Sequence, residues 1–234
     1  MGHFVHLEQP FPKSLLRFTD PNSREDDRKS RSLISPRITE LPENYRYASA
    51  AHLCPIDYLS HCLLPAALSN LGLTTITLDP GHKYMHANAW EDVVSVLPGL
   101  TALHISEEAI RNLFEKRTQD LWEMAETLSH YDCPIIVIKR GKFGQFLFIK
   151  DSPHKYQIPA YPTKVVDPTG VGDAFCGGFL AGFKATFDPL QAVMYGNVSA
   201  SLTLEGVGPF YGLESLPGLA QARLETLPEY VQKI

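Results

Sequence analysis

The residues best placed to do chemistry lie in one short stretch, VVDPTGVGDAFCGGF at positions 165–179. Gly170 and Gly172 allow the backbone to turn tightly and to come close to a ligand. The N–H groups of Val171, Gly172 and Asp173 would then point out of a helix N-terminus, which favours phosphate or the charge that develops in phosphoryl transfer. Asp173 stands beside this anion site, where it could accept a proton from an attacking hydroxyl group.

An ordinary helix cap is the alternative interpretation of Asp173, because aspartate is a common residue at the start of a helix. The full run D-P-T-G-x-G-D-x-F-x-x-G-F is far more specific than G-x-G-D alone. It resembles the signature of the ribokinase-like (PfkB) carbohydrate kinase family. The resemblance implies that Asp173 is the catalytic base and that the amides of Gly170, Val171 and Gly172 form the anion hole. Val171 stands where the family usually has Ala or Gly, but it keeps its N–H group.

Composition and net charge favour an ordinary globular protein and argue against several other classes. The 234 residues are 44% hydrophobic and 20% charged, which is ordinary for a globular domain with a sizeable core. The net charge of −5 argues against general nucleic-acid binding. No apolar run reaches the roughly 18 residues that a membrane helix needs, and the N-terminus does not read as a signal peptide. We therefore expect a cytoplasmic protein without nucleic-acid or membrane partners.

The four cysteines are Cys54, Cys62, Cys133 and Cys176. They form no C-x-x-C motif and show no paired spacing with histidines. We expect them to be buried thiols in a reducing compartment, neither joined in disulfides nor binding zinc.

The pattern from Tyr47 onward predicts an α/β fold. Strands are predicted at 48–53, 74–78, 100–105, 134–138, 145–149 and 155–158, and helices at 58–71, 89–97, 107–114, 120–130, 172–184, 189–204 and 216–234, the last with a break near Pro228. Strands that alternate with helices imply a mostly parallel sheet covered on both faces. The family resemblance makes this a ribokinase-like three-layer α/β/α architecture. Ligands bind such sheets at the carboxyl ends of the strands, so we expect Asp79, residues 106–108, residues 139–141 and the Gly-rich turn to converge there.

The N-terminal part differs from the rest. We divide the chain into an irregular segment at 1–45 and a ribokinase-like kinase domain at 46–234. Within the first segment, residues 4–7 predict a short strand and the polar run at 20–32 predicts a mobile loop. The family begins with strands that carry a Gly-Gly pair and with a small β lid, and no such Gly-Gly segment is present. We therefore interpret 1–45 as a lid remnant and expect the chain to bind nucleotide but to phosphorylate small alcohols poorly, unless a partner subunit or a homodimer supplies the acceptor site.

Two acidic residues follow a predicted strand, Glu107 and Glu108, behind Ser106. One interpretation is favourable negative charge at a helix N-terminus. The other is the family's N-x-x-E motif, whose glutamate helps to hold the water shell of Mg²⁺. Glu108 matches that glutamate by its spacing, and Glu107 is the alternative. Ile105 stands in the place of the asparagine, so the motif is half present. A magnesium ion is also expected on physical grounds, because it bridges phosphates and neutralises their charge.

Nucleotide contacts are implied by resemblance at two further places. Lys139, Gly141 and Gly144 match a turn that lies against the nucleotide in the family, with Lys139 in place of threonine, so that the contact becomes a charge on a phosphate. The alternative is a basic hairpin turn that needs glycine for its geometry. Asn197 and Ser201, on the helix after the signature, and the loop from Gly206 beyond it resemble the family's wall for adenine. The equal alternative is that these residues serve helix packing and that the glycine ends the helix.

Asp167 and Thr169 resemble a D-x-T pair that helps to hold a monovalent cation such as K⁺ in several family members. The alternative for Asp167 is a residue that forms a local turn. The main functional hypothesis is therefore an ATP-dependent kinase of a small sugar or nucleoside. The alternative is a catalytically inactive, truncated kinase-like protein that binds nucleotide or acts as a scaffold. An unrelated α/β protein with a chance signature is a third alternative.

Overall fold

A computed structural model describes residues 16–20, 23–26 and 35–234 of the chain. In chain order the strands are β1 (Leu16–Asp20), β2 (Ser23–Asp26), β3 (Ala50–Leu53), β4 (Thr75–Leu78), β5 (Ala102–Ser106), β6 (Ile135–Lys139), β7 (Gln145–Ile149), β8 (Tyr156–Ile158) and β9 (Gln232–Lys233). The helices are α1 (Tyr58–Asn70), α2 (Trp90–Ser95), α3 (Glu107–Leu113), α4 (Leu121–Ser129), α5 (Val171–Thr186), α6 (Pro189–Leu204) and α7 (Leu219–Thr226).

A seven-stranded sheet runs through the molecule in the order β3-β4-β5-β6-β7-β8-β9. The strands β3 to β6 pair in parallel, and β6 to β9 pair antiparallel. All four residues of β4 are buried, and so are the first four of β5 and of β6. Burial on both faces explains why these strands are continuous apolar runs in the sequence. The sheet is thus mixed, with a parallel half and an antiparallel half.

Separate hydrophobic cores lie on the two faces of the sheet. One core joins α1, α2, α3 and α4 to side chains such as Leu103 and Ile136. The other joins α5, α6 and α7 to side chains such as Val137 and Leu147. Neighbouring residues of β6 thus point into different cores, as the two-residue period of a strand requires. The sheet is the middle layer of three, as the predicted α/β/α fold class requires.

The helices α5 and α6 pack closely through small residues. A Cβ atom added to Gly178 would lie 2.7 Å from the Cβ of Ser199, and one added to Gly182 would lie 2.7 Å from Tyr195. Glycine is therefore needed at both positions for the two 16-residue helices to approach each other.

None of the helices in the described part of the chain is both long and apolar enough to cross a membrane.

The N-terminal segment contains a small hairpin. Strands β1 and β2 pair antiparallel, with Leu16 opposite Asp26. The prediction of a mobile loop over 20–32 was therefore wrong for Ser23–Asp26, because backbone groups of polar residues can still form a ladder. The strand predicted at 4–7 lies outside the described residues. The division at residue 45 and the lid remnant stay predictions.

The C-terminus ends in a strand where a helix was predicted. Helix α7 stops at Thr226, and Pro228 follows within a short 3₁₀ turn. Proline lacks the N–H group that a continuing helix would use. The chain then joins the sheet as β9 beside β8, and the amide of Ile234 donates to the carbonyl of Lys155 at 2.8 Å. The predicted helix over 216–234 was thus wrong at this end.

All four cysteines lie in the described part of the chain and carry free thiols. Cys133 and Cys176 are buried, which agrees with the expectation. Cys62 is half-buried and Cys54 is exposed, so the expectation of burial was wrong for Cys54. Cys54 directly follows β3, the edge strand of the described seven-stranded sheet, which has a neighbouring strand on one side.

Candidate active site

The Gly-rich turn places the start of α5 at the centre of the candidate site. Gly170 precedes the helix with φ of 77°, a left-handed conformation that favours glycine. The amide of Val171 donates to the carbonyl of Pro168 at 3.3 Å, so one of the three predicted free amides is used within the turn. Among the described residues, no side chain caps α5. The amides of Gly172 and Asp173 are thus the donors that this helix N-terminus leaves available to an anion.

Asp167 forms a local turn just before the helix. Its carboxylate accepts a hydrogen bond from the amide of Thr169 at 2.9 Å. This bond lowers the pKa of the Asp167 carboxyl below its ordinary value. The amides of Val166 and Asp167 donate to the carbonyl of Leu204 at 2.8 and 3.3 Å, so the turn is fixed to the end of α6. These contacts of Asp167 are the ones expected if it forms a local turn, which was the alternative interpretation.

An open cavity of about 410 Å³, here called the polar cavity, lies on one side of the α5 N-terminus. Four carboxylates line it together with three cationic or imidazole side chains, and Asp173 is exposed within it. The lining residues are Pro55, Asp79, Gly81, His82, Ser106, Glu107, Glu108, Lys139, Arg140, Gly141, Phe143, Pro168, Gly170, Val171, Gly172 and Asp173. Carboxylate oxygens are the ligands that a hard cation such as Mg²⁺ prefers.

A second cavity of about 410 Å³, here called the apolar cavity, lies on the other side. Its walls come from the β6–β7 turn, the segment after β8, the start of α5 and one face of α6. The lining residues are Lys139, Gly141, Lys142, Gln145, Ala160, Tyr161, Pro162, Thr163, Val165, Val171, Gly172, Phe175, Asn197, Ala200, Ser201 and Leu204. Its size and mostly apolar walls are typical of a small-molecule site.

Four residues line both cavities: Lys139, Gly141, Val171 and Gly172. The N-terminal end of α5 is therefore the boundary between the two cavities. A molecule with a flat apolar part and a phosphate chain could fill the apolar cavity and reach this boundary with its phosphates. The polar cavity then lies on the far side of those phosphates.

Lys139 forms a buried ion pair with Asp79 at this boundary. Burial alone would raise the pKa of Asp79, but the charge of Lys139 and hydrogen bonds from Lys139 and Gly81 bring it down to about 2. Burial acts against the charged form of Lys139 as well, and Asp79 outweighs it, so the pKa of Lys139 is raised. A Cβ atom added to Gly172 would lie 3.8 Å from the Lys139 ammonium nitrogen. A fixed positive charge thus lies next to the anion-binding amides.

The adjacent glutamates of α3 have different environments. Ser106 caps the helix by accepting from the Ala109 amide at 3.1 Å. Glu107 accepts from Arg111 at 2.7 Å and from Arg140 at 3.0 Å. Burial would raise the pKa of Glu107, but the two arginines lower it below its ordinary value. Glu108 is exposed and lines the polar cavity.

Asn197 lines the apolar cavity, but its side chain is held by the protein. Its Oδ1 accepts from the amide of Tyr161 at 2.9 Å. Its Nδ2 donates to Gln145 Oε1 at 2.9 Å and to the carbonyl of Pro159 at 2.7 Å. Asn197 thus fixes the segment after β8, which forms one wall of the cavity.

Ser201 is held in a similar way. Its hydroxyl donates to the carbonyl of Val198 at 2.7 Å and accepts from Arg223 at 2.8 Å. Arg223 in turn pairs with Glu205 at 2.7 Å, which ties α7 to α6. For both Asn197 and Ser201, the hydrogen bonds agree with the packing alternative.

Gly144 and Gly206 are not among the residues that line the apolar cavity. A Cβ atom added to Gly144 would lie 2.0 Å from the carbonyl oxygen of Ile158, and one added to Gly206 would lie 2.1 Å from the ring of Tyr211. Both glycines therefore make room for neighbouring parts of the chain. Ile105, which replaces the motif's asparagine, is fully buried in the core.

Asp79 is a site residue whose role the sequence did not predict. It follows β4, and Lys139 ends β6, two strands that are separated in the sheet by β5. Both positions are at carboxyl ends of parallel strands, which was the available signal that they lie close together. The ion pair itself forms because the two side chains are long enough to meet across β5, and the spacing of the residues along the chain does not predict this contact.

Comparison with known proteins agrees with this arrangement. A family model described as "pfkB family carbohydrate kinase" matches residues 75–216. A cytidine kinase of Thermococcus kodakarensis is 27% identical over 144 residues, which are 62% of this chain and 51% of that protein. The chain spans about half the length of the curated relatives it matches first.

Solved structures share the fold at low sequence identity. A ribokinase from Thermotoga maritima superposes with a TM-score of 0.71 at 18% identity, over 96% of this chain and 72% of that one. A putative ribokinase II from E. coli, in complex with ATP and Mg²⁺, superposes with a TM-score of 0.69 at 18% identity, over 91% of this chain and 70% of that one. The predicted three-layer fold class is confirmed.

Proposed function

The chain belongs to the pfkB family of carbohydrate kinases, and on this premise we propose that it transfers the γ-phosphate of ATP to a hydroxyl of a small sugar or nucleoside. The observation that carries the proposal is the position of the α5 N-terminus between two cavities. One cavity is largely apolar and the other holds the Asp173 carboxylate. A donor and an acceptor on opposite sides of one anion site is the geometry that in-line transfer requires.

The apolar cavity is the proposed nucleotide site. The base would pack against Ala200, Leu204 and the segment that Asn197 fixes. Because the polar atoms of Asn197 and Ser201 already have partners, these residues act by shaping the wall. The phosphates would extend along Gly141 to the end of α5. The E. coli protein of the same fold was solved in complex with ATP and Mg²⁺.

In the proposed transfer, Asp173 accepts the proton of the acceptor hydroxyl. The hydroxyl oxygen forms a bond to the γ-phosphorus while the bond from that phosphorus to the bridging oxygen breaks, and ADP leaves. The amides of Gly172 and Asp173 stabilise the negative charge on the transferring group. Preorganised donors of this kind typically supply a large share of the rate enhancement.

The donor set of the polar cavity fits Mg²⁺. Glu108 is exposed there and Asp173 lies on the same cavity wall, so both could hold the ion through its water molecules. When bound, Mg²⁺ neutralises charge on the phosphates. A monovalent cation such as K⁺ beside Asp167 and Thr169 is also part of the proposal.

Lys139 is the proposed second source of positive charge. Its ammonium lies beside the Gly172 position and is held there by Asp79. Because Asp79 balances its charge, Lys139 would act as one end of a fixed dipole. A dipole that is already oriented costs no reorganisation when charge develops during the reaction.

A homodimer is proposed as the state in solution. Strand β3 forms the edge of the described seven-stranded sheet, and an edge strand can pair with a second copy. Light scattering of the purified chain, read as its mass, tests this point.

A panel of sugars and nucleosides tests the function. Each is incubated with the purified chain, ATP and Mg²⁺, and the products are identified by mass spectrometry. We expect ADP together with one phosphorylated acceptor, formed slowly if the chain acts as a monomer. Nucleotide binding without any phosphorylated product would instead support the inactive alternative, and the absence of binding would contradict both.

A further inference from the structure

Three metal-ligating side chains meet behind the anion site, in the layer between the sheet and α5. His52 lies on β3, His104 on β5 and Cys176 on α5. One donor atom from each lies within 4.8 Å of the other two. The two imidazole rings are stacked, with centroids 5.5 Å apart and an angle of 23° between their planes. Three separate parts of the chain thus bring two nitrogen atoms and one sulfur atom into one cluster.

Three of the four imidazole nitrogens in this group lack a hydrogen-bond partner within the described part of the chain. His104 is fully buried, and within the described part of the chain neither of its ring nitrogens has a partner. The Nε2 atom of His52 is also without one, whereas its Nδ1 contacts the Thr77 hydroxyl at 2.8 Å. A buried polar atom without a partner typically costs about 1–3 kcal/mol, so each such atom needs an explanation.

Another buried histidine in the same protein shows the usual solution. His61 is also fully buried, but its Nδ1 lies 2.6 Å from the Tyr84 hydroxyl and its Nε2 lies 3.0 Å from the Cys54 carbonyl. The fold therefore supplies partners for a buried imidazole at one position and not at the other. This difference points to a ligand at His104.

The surroundings keep His104 in the form that binds metals. Its ring packs edge-on against Phe179 at 4.4 Å and Phe175 at 5.9 Å between centroids. Burial holds the pKa of His104 well below its ordinary value, so the ring is neutral and has a free nitrogen lone pair. Neutral imidazole and thiolate are the ligands that zinc prefers.

We propose that His52, His104 and Cys176 bind a zinc ion. Zinc bonds of about 2.0–2.1 Å to nitrogen and 2.3 Å to sulfur place tetrahedral ligand atoms about 3.3–3.6 Å apart. Donor atoms that lie within 4.8 Å of one another therefore need to close by about 1.5 Å at most. Three protein ligands leave a fourth position for a water molecule.

Charge and protons balance in this site. The Cys176 S–H bond breaks, a zinc–sulfur bond forms and the proton goes to solvent. Burial raises the pKa of the Cys176 thiol to about 12, although the Lys139 ammonium, 3.9 Å from the sulfur, acts in the opposite direction, so the proton leaves only as the zinc–sulfur bond forms. Asp79 pairs with Lys139, so the incoming ion meets a neutral pair and not an isolated positive charge.

The site would join β3, β5 and the first turns of α5 directly behind the anion-binding amides. Spacing along the sequence gave no sign of the site, because its three ligands are separated by 52 and 72 positions (104 − 52 and 176 − 104).

Metal binding to the full chain tests the proposal. Zinc affinity is measured by competition with a chromophoric chelator, and cobalt is added in parallel to detect the thiolate-to-cobalt charge-transfer band. We expect one equivalent of zinc and a cobalt band. Cys176→Ala should abolish the band, and His104→Leu should weaken zinc binding by at least roughly tenfold. The controls Cys133→Ala and Cys54→Ser, which change a buried and an exposed thiol elsewhere, should keep both signals.

Folding of the variants is checked without metal. Since His104→Leu removes two buried nitrogens that lack partners, its thermal midpoint should equal or exceed that of the parent. Zinc should raise the midpoint of the parent and leave that of the two ligand variants unchanged. Stoichiometric binding that persists in Cys176→Ala and His104→Leu, or a parent that binds no zinc, would overturn the assignment.

Discussion

Glu107 and Glu108 are adjacent in the sequence, but their side chains have different surroundings. Glu107 is engaged by Arg111 and Arg140, which join α3 to the end of β6. Glu108 is exposed and faces the polar cavity. A carboxylate that already has two guanidinium partners is poorly available to hold hydrated Mg²⁺. The structural role therefore belongs to Glu107 and the proposed metal role to Glu108.

The pair provides a matched test of the metal site. Glu108→Gln should raise the Mg²⁺ concentration needed for half-maximal ADP formation by roughly 10-fold, because residues around a metal ion typically contribute 10–100-fold in affinity. Glu107→Gln should lower the thermal midpoint and leave the Mg²⁺ requirement unchanged. The measurement is a Mg²⁺ titration at fixed ATP. If Glu107→Gln raised the Mg²⁺ requirement and Glu108→Gln left it unchanged, the metal role would belong to Glu107.

Sequence reasoning at this scale worked best for residues whose role depends on the local backbone. The turn at 167–170 and the start of α5 follow from glycine, proline and aspartate chemistry, and the structure places them together at one site. It worked less well for Asn197, whose partners come from distant segments. It also did not predict that Asp79 holds Lys139, because side-chain pairing across a sheet leaves no trace in spacing.

Helix α5 carries most of the proposed chemistry at the level of elements. Its first residue follows Gly170, which has φ of 77° and no atom within 4 Å of an added Cβ. The need for glycine there is therefore conformational and not steric. A side chain at this position would strain the left-handed backbone by roughly 1–2 kcal/mol and disturb the amides of the anion site.

Gly218 supplies the control for a prediction about this turn. It precedes α7 with φ of 83°, also has open space around an added Cβ, and lines neither of the two cavities. Gly170→Val and Gly218→Val should lower the thermal midpoint by similar amounts. Only Gly170→Val should abolish the rise in midpoint that ATP and Mg²⁺ cause in the parent. A normal ATP response in Gly170→Val would show that the turn does not bind phosphate.

The elements themselves were largely predictable. The bounds of β7 at Gln145–Ile149 and of α6 at Pro189–Leu204 match the predicted ones, because turn glycines and the Asp188-Pro189 cap mark them. The last strand was missed, because β9 has two residues and is defined only by pairing with β8. Strands of this length carry no periodic signal.

At the scale of the whole molecule, one ion pair joins two separate strands of the central sheet. Asp79 and Lys139 connect the ends of β4 and β6, and their side chains are largely buried, 12% and 17% exposed. Removing one partner of a buried ion pair leaves the other charge without compensation and typically costs about 3–5 kcal/mol. Replacing both partners with uncharged groups of similar size can be nearly neutral.

We therefore predict a large loss of stability for Asp79→Asn and a partial recovery for the double variant Asp79→Asn with Lys139→Met. Urea unfolding measures both free energies. Because the pKa of Asp79 falls from 3.8 to about 2 on folding, its contribution is complete above pH of about 4 and is lost as the pH falls towards 2. A double variant less stable than Asp79→Asn would contradict the pairing.

Phosphoryl transfer by the whole chain is the central claim, and Asp173 tests it most directly. Asp173→Asn keeps the size of the side chain and removes the proton acceptor. Asp188→Asn is the control, because Asp188 also stands exposed at the start of a helix, where asparagine caps well.

The measurement is the steady-state rate of acceptor phosphorylation at saturating ATP and Mg²⁺, made alongside the ATP affinity of each variant. The account predicts that Asp173→Asn loses roughly 10²–10⁴ in rate with an unchanged ATP affinity, and that Asp188→Asn behaves like the parent. A rate for Asp173→Asn within about tenfold of the parent would contradict the assignment of the base.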